Sequence, residues 1–136
     1  MEYRVVIPGQ LKGLNELLNG RFYDRSAKKY RNPIKQKNDA ECIKAIRFTK
    51  ELHGIHIVKP IVLHYKIYAQ DKRHDRFNLF SAIDKSFEDA LQKTGVIAND
   101  GWNDVLNATH KFYIDKERPR VEIVIEEVET DERQFF

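Results

Sequence analysis

Apolar residues recur along the chain with two different periods, and the switches between them divide it into elements. Ile61, Leu63, Tyr65 and Ile67 alternate with Val62, His64, Lys66 and Tyr68, which predicts the strongest strand over Ile57–Tyr68. Pro60 falls near its beginning, where a missing amide donor is tolerated. The β-branched run Tyr3–Ile7 predicts a first strand, and Pro8-Gly9 ends it. Val105–Ile114 predicts another strand and Val121–Val128 a last one, with Val121, Ile123 and Ile125 on one face and Glu122 and Glu126 on the other. The turn through Asp115–Pro119 predicts that these two pair as an antiparallel hairpin. Helical spacing marks Asn78–Lys93, where Leu79, Ile83, Phe87, Ala90 and Leu91 share a face and Gly95 follows as a stop. A longer helix is predicted from Ile34 to about His53, with Ala40, Ile43 and Ile46 on one face, Phe48 and Leu52 off it, and Gly54 as its cap. Residues 10–33 read as loop-rich, with Gly13, Gly20 and Pro33 as breakers and one helical turn around Asn15–Leu18. The expected fold is α+β: one domain over 1–136, a mixed sheet with helices packed on one face. The acidic tail, about 129–136, is expected to fray.

Composition narrows the classes. Apolar residues are 41% and charged residues 33%, a globular balance rather than a disordered one. The lone Cys42 excludes an internal disulfide and a zinc site built on several thiolates, and its helical setting suits a packed thiol. No apolar run approaches the roughly 18–20 residues that span a bilayer, and Met1-Glu2-Tyr3-Arg4 lacks signal-peptide character, so no membrane partner and a cytoplasmic location are expected. Gly9, Lys12 and Gly13 do not make a phosphate-cradling loop, so no nucleotide cofactor is expected. Trp102, directly after Asp100-Gly101, reads as partly buried packing, as a lone Trp more often is, with a place beside DNA or a dimer contact as the alternative.

The formal charge of +3 hides an asymmetry: residues 1–53 carry 12 basic against 6 acidic side chains, and residues 117–136 carry 3 against 7. The basic excess concentrates in Arg21, Arg25, Lys28, Lys29, Arg31, Lys35 and Lys37, with Phe22, Tyr23 and Tyr30 interleaved. Cations neutralise phosphates and aromatic rings stack on unpaired bases, so this stretch is a candidate DNA-binding surface, joined by Arg73 and Arg76. A solvated loop and helix face is the plainer alternative.

Candidate chemistry lies between Asp71 and Asp104. Asp75 and Asn78 stand at a strand–helix junction, and Asn78, Lys85 and Asp89 fall on the helix face opposite its apolar stripe. Asp100 follows after a short loop, which lets the chain return it toward Asp75. Two carboxylates and a lysine on a basic surface suit phosphodiester hydrolysis, since magnesium prefers oxygen ligands and a lysine steadies charge on the phosphoryl group. The alternative is a capped structural helix with a solvated Lys85–Asp89 pair.

Asp75-Arg76-Phe77-Asn78, Lys85, Asp89-Ala90-Leu91, Lys93-Thr94-Gly95 and Asn99-Asp100 resemble the RusA family of phage and bacterial Holliday junction resolvases. The likeness is dense over residues 75–104 and loose elsewhere. It implies an endonuclease that nicks four-way DNA junctions symmetrically as a homodimer, in recombination and repair within a bacterium or phage-infected cell. It also implies Mg2+, with Mn2+ as an alternative. By resemblance Asp75 and Asp100 are metal ligands and Lys85 is the catalytic lysine. The chain departs from the family's Asp-x-Asp-Asn pattern at Phe77, whose ring cannot bind a metal. Asp71, His74, Asp84 and Asp104 are candidate substitute ligands. A slow site, or a catalytically degenerate junction-binding protein, are the other outcomes of that departure. A plain interaction module is the third class, separated from the others by salt-sensitive DNA binding.

Overall fold

A computed structural model describes residues 1–129. The expected tail of about 129–136 lies almost wholly outside the described residues. The elements are β1 (Glu2–Pro8), α1 (Leu14–Gly20), β2 (Phe22–Asp24), β3 (Lys29–Arg31), α2 (Pro33–His53), β4 (Ile61–Ala69), α3 (Arg76–Lys93), β5 (Val105–Ile114) and β6 (Arg120–Glu127). Four strands form a mixed sheet in the order β1-β6-β4-β5, in which β4 and β5 are parallel and the other neighbours antiparallel. The α+β class is thus as the alternation predicts.

The strand order corrects the expected hairpin. β5 and β6 do not pair, because β4 lies between them. A parallel β4–β5 pair needs a crossover, and α3 provides it. The chain must then step back over β4, a distance of two strand spacings, or roughly 10 Å. The five residues Asp115–Pro119 make that step. Asp115 donates its amide to the Ala69 carbonyl at the end of β4 (2.8 Å), and Gly9 donates to the Pro119 carbonyl (2.9 Å).

The core forms where one sheet face meets α2 and α3. Val5 and Ile7 of β1, Leu63, Tyr65 and Ile67 of β4, and Ile123 and Ile125 of β6 pack there with Leu79, Ile83, Phe87 and Leu91 of α3. The α3 stripe is the one the spacing predicts. The face of α2 is as predicted only in part: Ile46 is buried and Ile43 packs against the core as expected, but Asn38, Asp39, Cys42, Ala45 and Thr49 are buried with them and Ala40 is exposed. Asn38 is admitted because it satisfies a backbone, its amide donating to the Lys12 carbonyl (2.9 Å) and its oxygen accepting from the Lys12 amide (3.0 Å). Cys42 is a packed thiol, and burial pushes its pKa up to about 12.

Residues 10–33 carry more structure than their breakers suggest. Pro33 does not break a helix but begins one, at the position where its missing amide costs nothing. Asn32 caps α2 by accepting from the Lys35 amide (3.2 Å), and its amide nitrogen donates to the Leu17 carbonyl of α1 (2.6 Å). One side chain therefore ties α1 to α2, and Asn32→Ala should lower stability by about 1–2 kcal/mol in urea denaturation. An unchanged midpoint would show that the link contributes nothing.

Candidate active site and nucleic-acid interface

Asp75 caps α3, its Oδ1 accepting the Asn78 amide (3.1 Å). Lys85 follows ten residues later, which at a rise of 1.5 Å per residue is about 15 Å along the axis. Asp100, expected to return toward Asp75, reaches the ammonium of Lys85. Asp100 Oδ2 stands 3.9 Å from Lys85 Nζ, and Asp89 Oδ1 stands 3.2 Å from the same ammonium. The loop 94–104 thus folds back onto the middle of α3.

Around Lys85 the polar row of α3 gathers further groups. Asp84 Oδ1 accepts from the buried Tyr65 hydroxyl (2.7 Å). Glu88, one turn after Asp84, is half-buried and hydrogen-bonded to it, with Asp100 close enough to act on its charge. Burial is the largest influence on Glu88. The Asp84 hydrogen bond and the charges of Asp84 and Asp100 add to it, against Lys85, and the pKa is pushed up from 4.5 to about 9. Asp89 is shifted the other way. Burial works to raise it, but hydrogen bonds from Lys35 (3.0 Å) and Lys85 outweigh burial and hold it below the usual carboxylate range.

Glu88 gives a stability test. The native state keeps a proton that the unfolded chain releases near pH 4.5, so its stabilising contribution is full below that pH and is lost as pH rises through about 9. Wild-type urea midpoints should fall between pH 5 and pH 8.5, and Glu88→Gln, a neutral isostere, should flatten the decline. Parallel declines in the two proteins would place that pH dependence elsewhere.

Of the four candidate substitute ligands, only Asp84 joins the cluster. Asp71 accepts from the Arg73 amide and pairs with its guanidinium (3.5 Å) in the loop before α3. His74 Nε2 faces Glu16 of α1 (3.6 Å). Asp104 uses its backbone carbonyl to receive the Ile61 amide at the start of β4 (2.9 Å). Among the described residues no group of three or more His, Cys, Asp or Glu side chains is placed to hold a metal ion. Glu88 is not among the candidates that residue type and spacing single out. Its one local signal is the i, i+4 spacing from Asp84.

The basic, aromatic stretch is a β-hairpin, which its charged composition concealed. β2 and β3 pair through Phe22↔Arg31, Tyr23↔Tyr30 and Asp24↔Lys29. Tyr23 and Tyr30 meet edge to face with centroids 5.2 Å apart, and the Arg21 guanidinium lies 4.2 Å from the Tyr30 ring centroid. Asp24 holds the turn by accepting from the Ser26 and Ala27 amides and pairs with Arg31 (2.6 Å). Arg25, Lys28 and Lys29 are exposed at and beside the tip. Lys35 is committed elsewhere: its ammonium bridges Asp39 (2.8 Å) and Asp89 (3.0 Å), joining α2 to the row on α3. Arg73 and Arg76 are exposed. Trp102, expected to pack, is 74% exposed. No helix is long and apolar enough to cross a membrane among the described residues. No family model matches the chain, and no characterised protein matches its sequence.

Proposed function

We propose that the chain is a metal-dependent endonuclease acting on branched DNA, the activity its resemblance to the RusA resolvases implies. The observation that carries this reading is Lys85, 60% exposed and held between Asp89 and Asp100 with the Asp84–Glu88 carboxyl pair alongside. Magnesium takes one or two protein carboxylates and completes its shell with water and substrate phosphate. No three acids converge among the described residues, so a metal here would take one or two of Asp84, Glu88 and Asp100 as hard oxygen donors. Burial first, and then the neighbouring Asp84 and Asp100, raise the pKa of Glu88, and a cation there would offset the charge part of that effect. Bound Mg2+ would supply Lewis acidity at the phosphoryl oxygen and lower the pKa of a coordinated water.

The chain's own groups account for the remaining requirements. Asp89 and Asp100 fix the Lys85 ammonium, which can then stabilise charge on a phosphoryl oxygen. Lys35 meets the second oxygen of Asp89, so that carboxylate stays ionised. The hairpin cations Arg25, Lys28 and Lys29 supply non-specific phosphate contacts. In a homodimer, two-fold symmetry would present one such site to each of two like strands.

The test is binding and cleavage of a synthetic mobile four-way junction, with and without Mg2+. Metal-dependent paired nicks support the reading. Binding without nicking under any metal condition would favour the second reading, a junction binder, to which the aromatic Phe77 in the aspartate's place points. Absence of both overturns the nucleic-acid reading. The salt dependence is informative as well. Replacing Arg25, Lys28 and Lys29 together by Glu should weaken binding at least tenfold and flatten the slope of log K against log salt by roughly 2–3.

A further inference from the structure

A groove runs between the start of α3 and β5; Asp75 lines it, and none of the side chains grouped around Lys85 does. It consists of two hollows of about 650 and 450 Å3 that share Asp75, Arg76, Phe112 and Tyr113. Each is within the roughly 300–1,000 Å3 typical of small-molecule sites. β5 is a sheet edge, paired on one side to β4, so the groove is open along its length.

The charges favour an anion. Arg76 and Lys111 line the first hollow and Lys72 the second, and among the described residues none of the three has a carboxylate partner. Arg73 neutralises Asp71, whereas Asp75 keeps its charge beside the neutral Asn78 amide, so the surplus is positive in the first hollow, where Arg76 and Lys111 face Asp75 alone. The rings are the second observation. Phe77 projects from the first turn of α3 with 71% of its surface exposed. Tyr113, 40% exposed, is braced by a stack on Tyr68 with centroids 4.8 Å apart. Exposed rings set among unpaired cations match a nucleotide, whose base stacks while its phosphate is neutralised. A base inside a duplex has no free face to offer Phe77, whereas a base at a branch point can open.

We infer that this groove holds an unpaired nucleotide at the branch of a DNA junction, with Phe77 as the ring its base stacks on and Arg76 and Lys111 as phosphate contacts. The inference rests on the nucleic-acid reading and gives Phe77 a role in place of the missing aspartate: it selects branched over linear DNA.

The test uses the full chain in EDTA, with a four-way junction carrying 2-aminopurine at the exchange point and a linear duplex of matched sequence. Wild type should bind the junction more tightly and raise the 2-aminopurine fluorescence as that base leaves its neighbours. Phe77→Ala should lose the fluorescence change and bind the junction roughly 5- to 100-fold more weakly, with duplex affinity unchanged. Phe77→Trp should keep both. Wild-type junction binding with an unaltered Phe77→Ala overturns the inference and leaves the nucleic-acid reading standing. Equal losses on junction and duplex overturn it too. A dimer that Phe77→Ala dissociates, with DNA binding unchanged, would assign the groove to a second copy of the chain. If wild type binds neither DNA, both readings fall.

Discussion

Lys85→Met should lower the rate of Mg2+-dependent junction nicking by about 100- to 1,000-fold, the usual cost of removing one positioned charge stabiliser. The side chain is largely exposed and its partners lie on α3 and the following loop, so fold and junction binding in EDTA should stay near wild type. Asp100→Asn should match it, because it removes both a carboxylate of the cluster and one of the two groups that hold Lys85. Glu88→Gln is the sharpest of the set. It copies the neutral form that Glu88 already takes at neutral pH, so the fold should be retained while a cation ligand is lost. Full nicking in all three variants would remove this cluster from the chemistry. Asp75→Asn belongs beside them. Asn caps a helix as well as Asp does, so any loss of nicking there reports chemistry at the start of α3 rather than unfolding.

The largest stability effect is expected at Phe87. Its side chain is fully buried, and its ring meets Tyr65 edge to face at 6.0 Å. Phe87→Ala removes that surface and leaves a cavity, at a cost of about 3–5 kcal/mol. Whole domains are stable by only about 5–15 kcal/mol, so the variant should unfold at much lower urea, with an unchanged m-value. Phe87→Leu, which keeps most of the volume, should cost less than half as much. The effect reaches the site because Phe87 packs against Tyr65, whose hydroxyl holds Asp84, and Phe87 directly precedes Glu88 in α3. A loss below about 1 kcal/mol for Phe87→Ala would contradict its place in the core.

What the sequence revealed follows the range of the forces involved. α3 was legible because one apolar stripe and one polar row occupy opposite faces of a single helix. β4 was legible because its alternation is strict. The face of α2 was legible only at Ile43 and Ile46, since burial elsewhere on it is decided by a partner: Asn38 enters the core only because Lys12, 26 residues earlier, offers both backbone groups. The hairpin of β2 and β3 has three residues per strand, too few for a period to show. The order of β5 and β6 depends on which strand fills the middle of the sheet, a choice no local window contains. Lys85, Asp89 and Asp100 could be singled out from residue type and spacing. Glu88 gains its character only when burial and the convergence of Asp84 and Asp100 act on it, and Asp75 stands apart from Lys85 because the helix between them is about 15 Å long.

The central position of β6 also sets a timetable. β1 has no neighbour other than β6, and Glu2 pairs with Glu126. On a ribosome adding about 5–20 residues per second, β1 emerges on the order of ten seconds before its partner exists. Until then Val5 and Ile7 have no sheet to join, and β4 has only β5 beside it. The sheet therefore closes after synthesis of its last strand, in one late step that inserts β6 between two waiting strands. A nascent chain stalled before Arg120 should be open to proteases and chaperones along its whole length, however well its helices form.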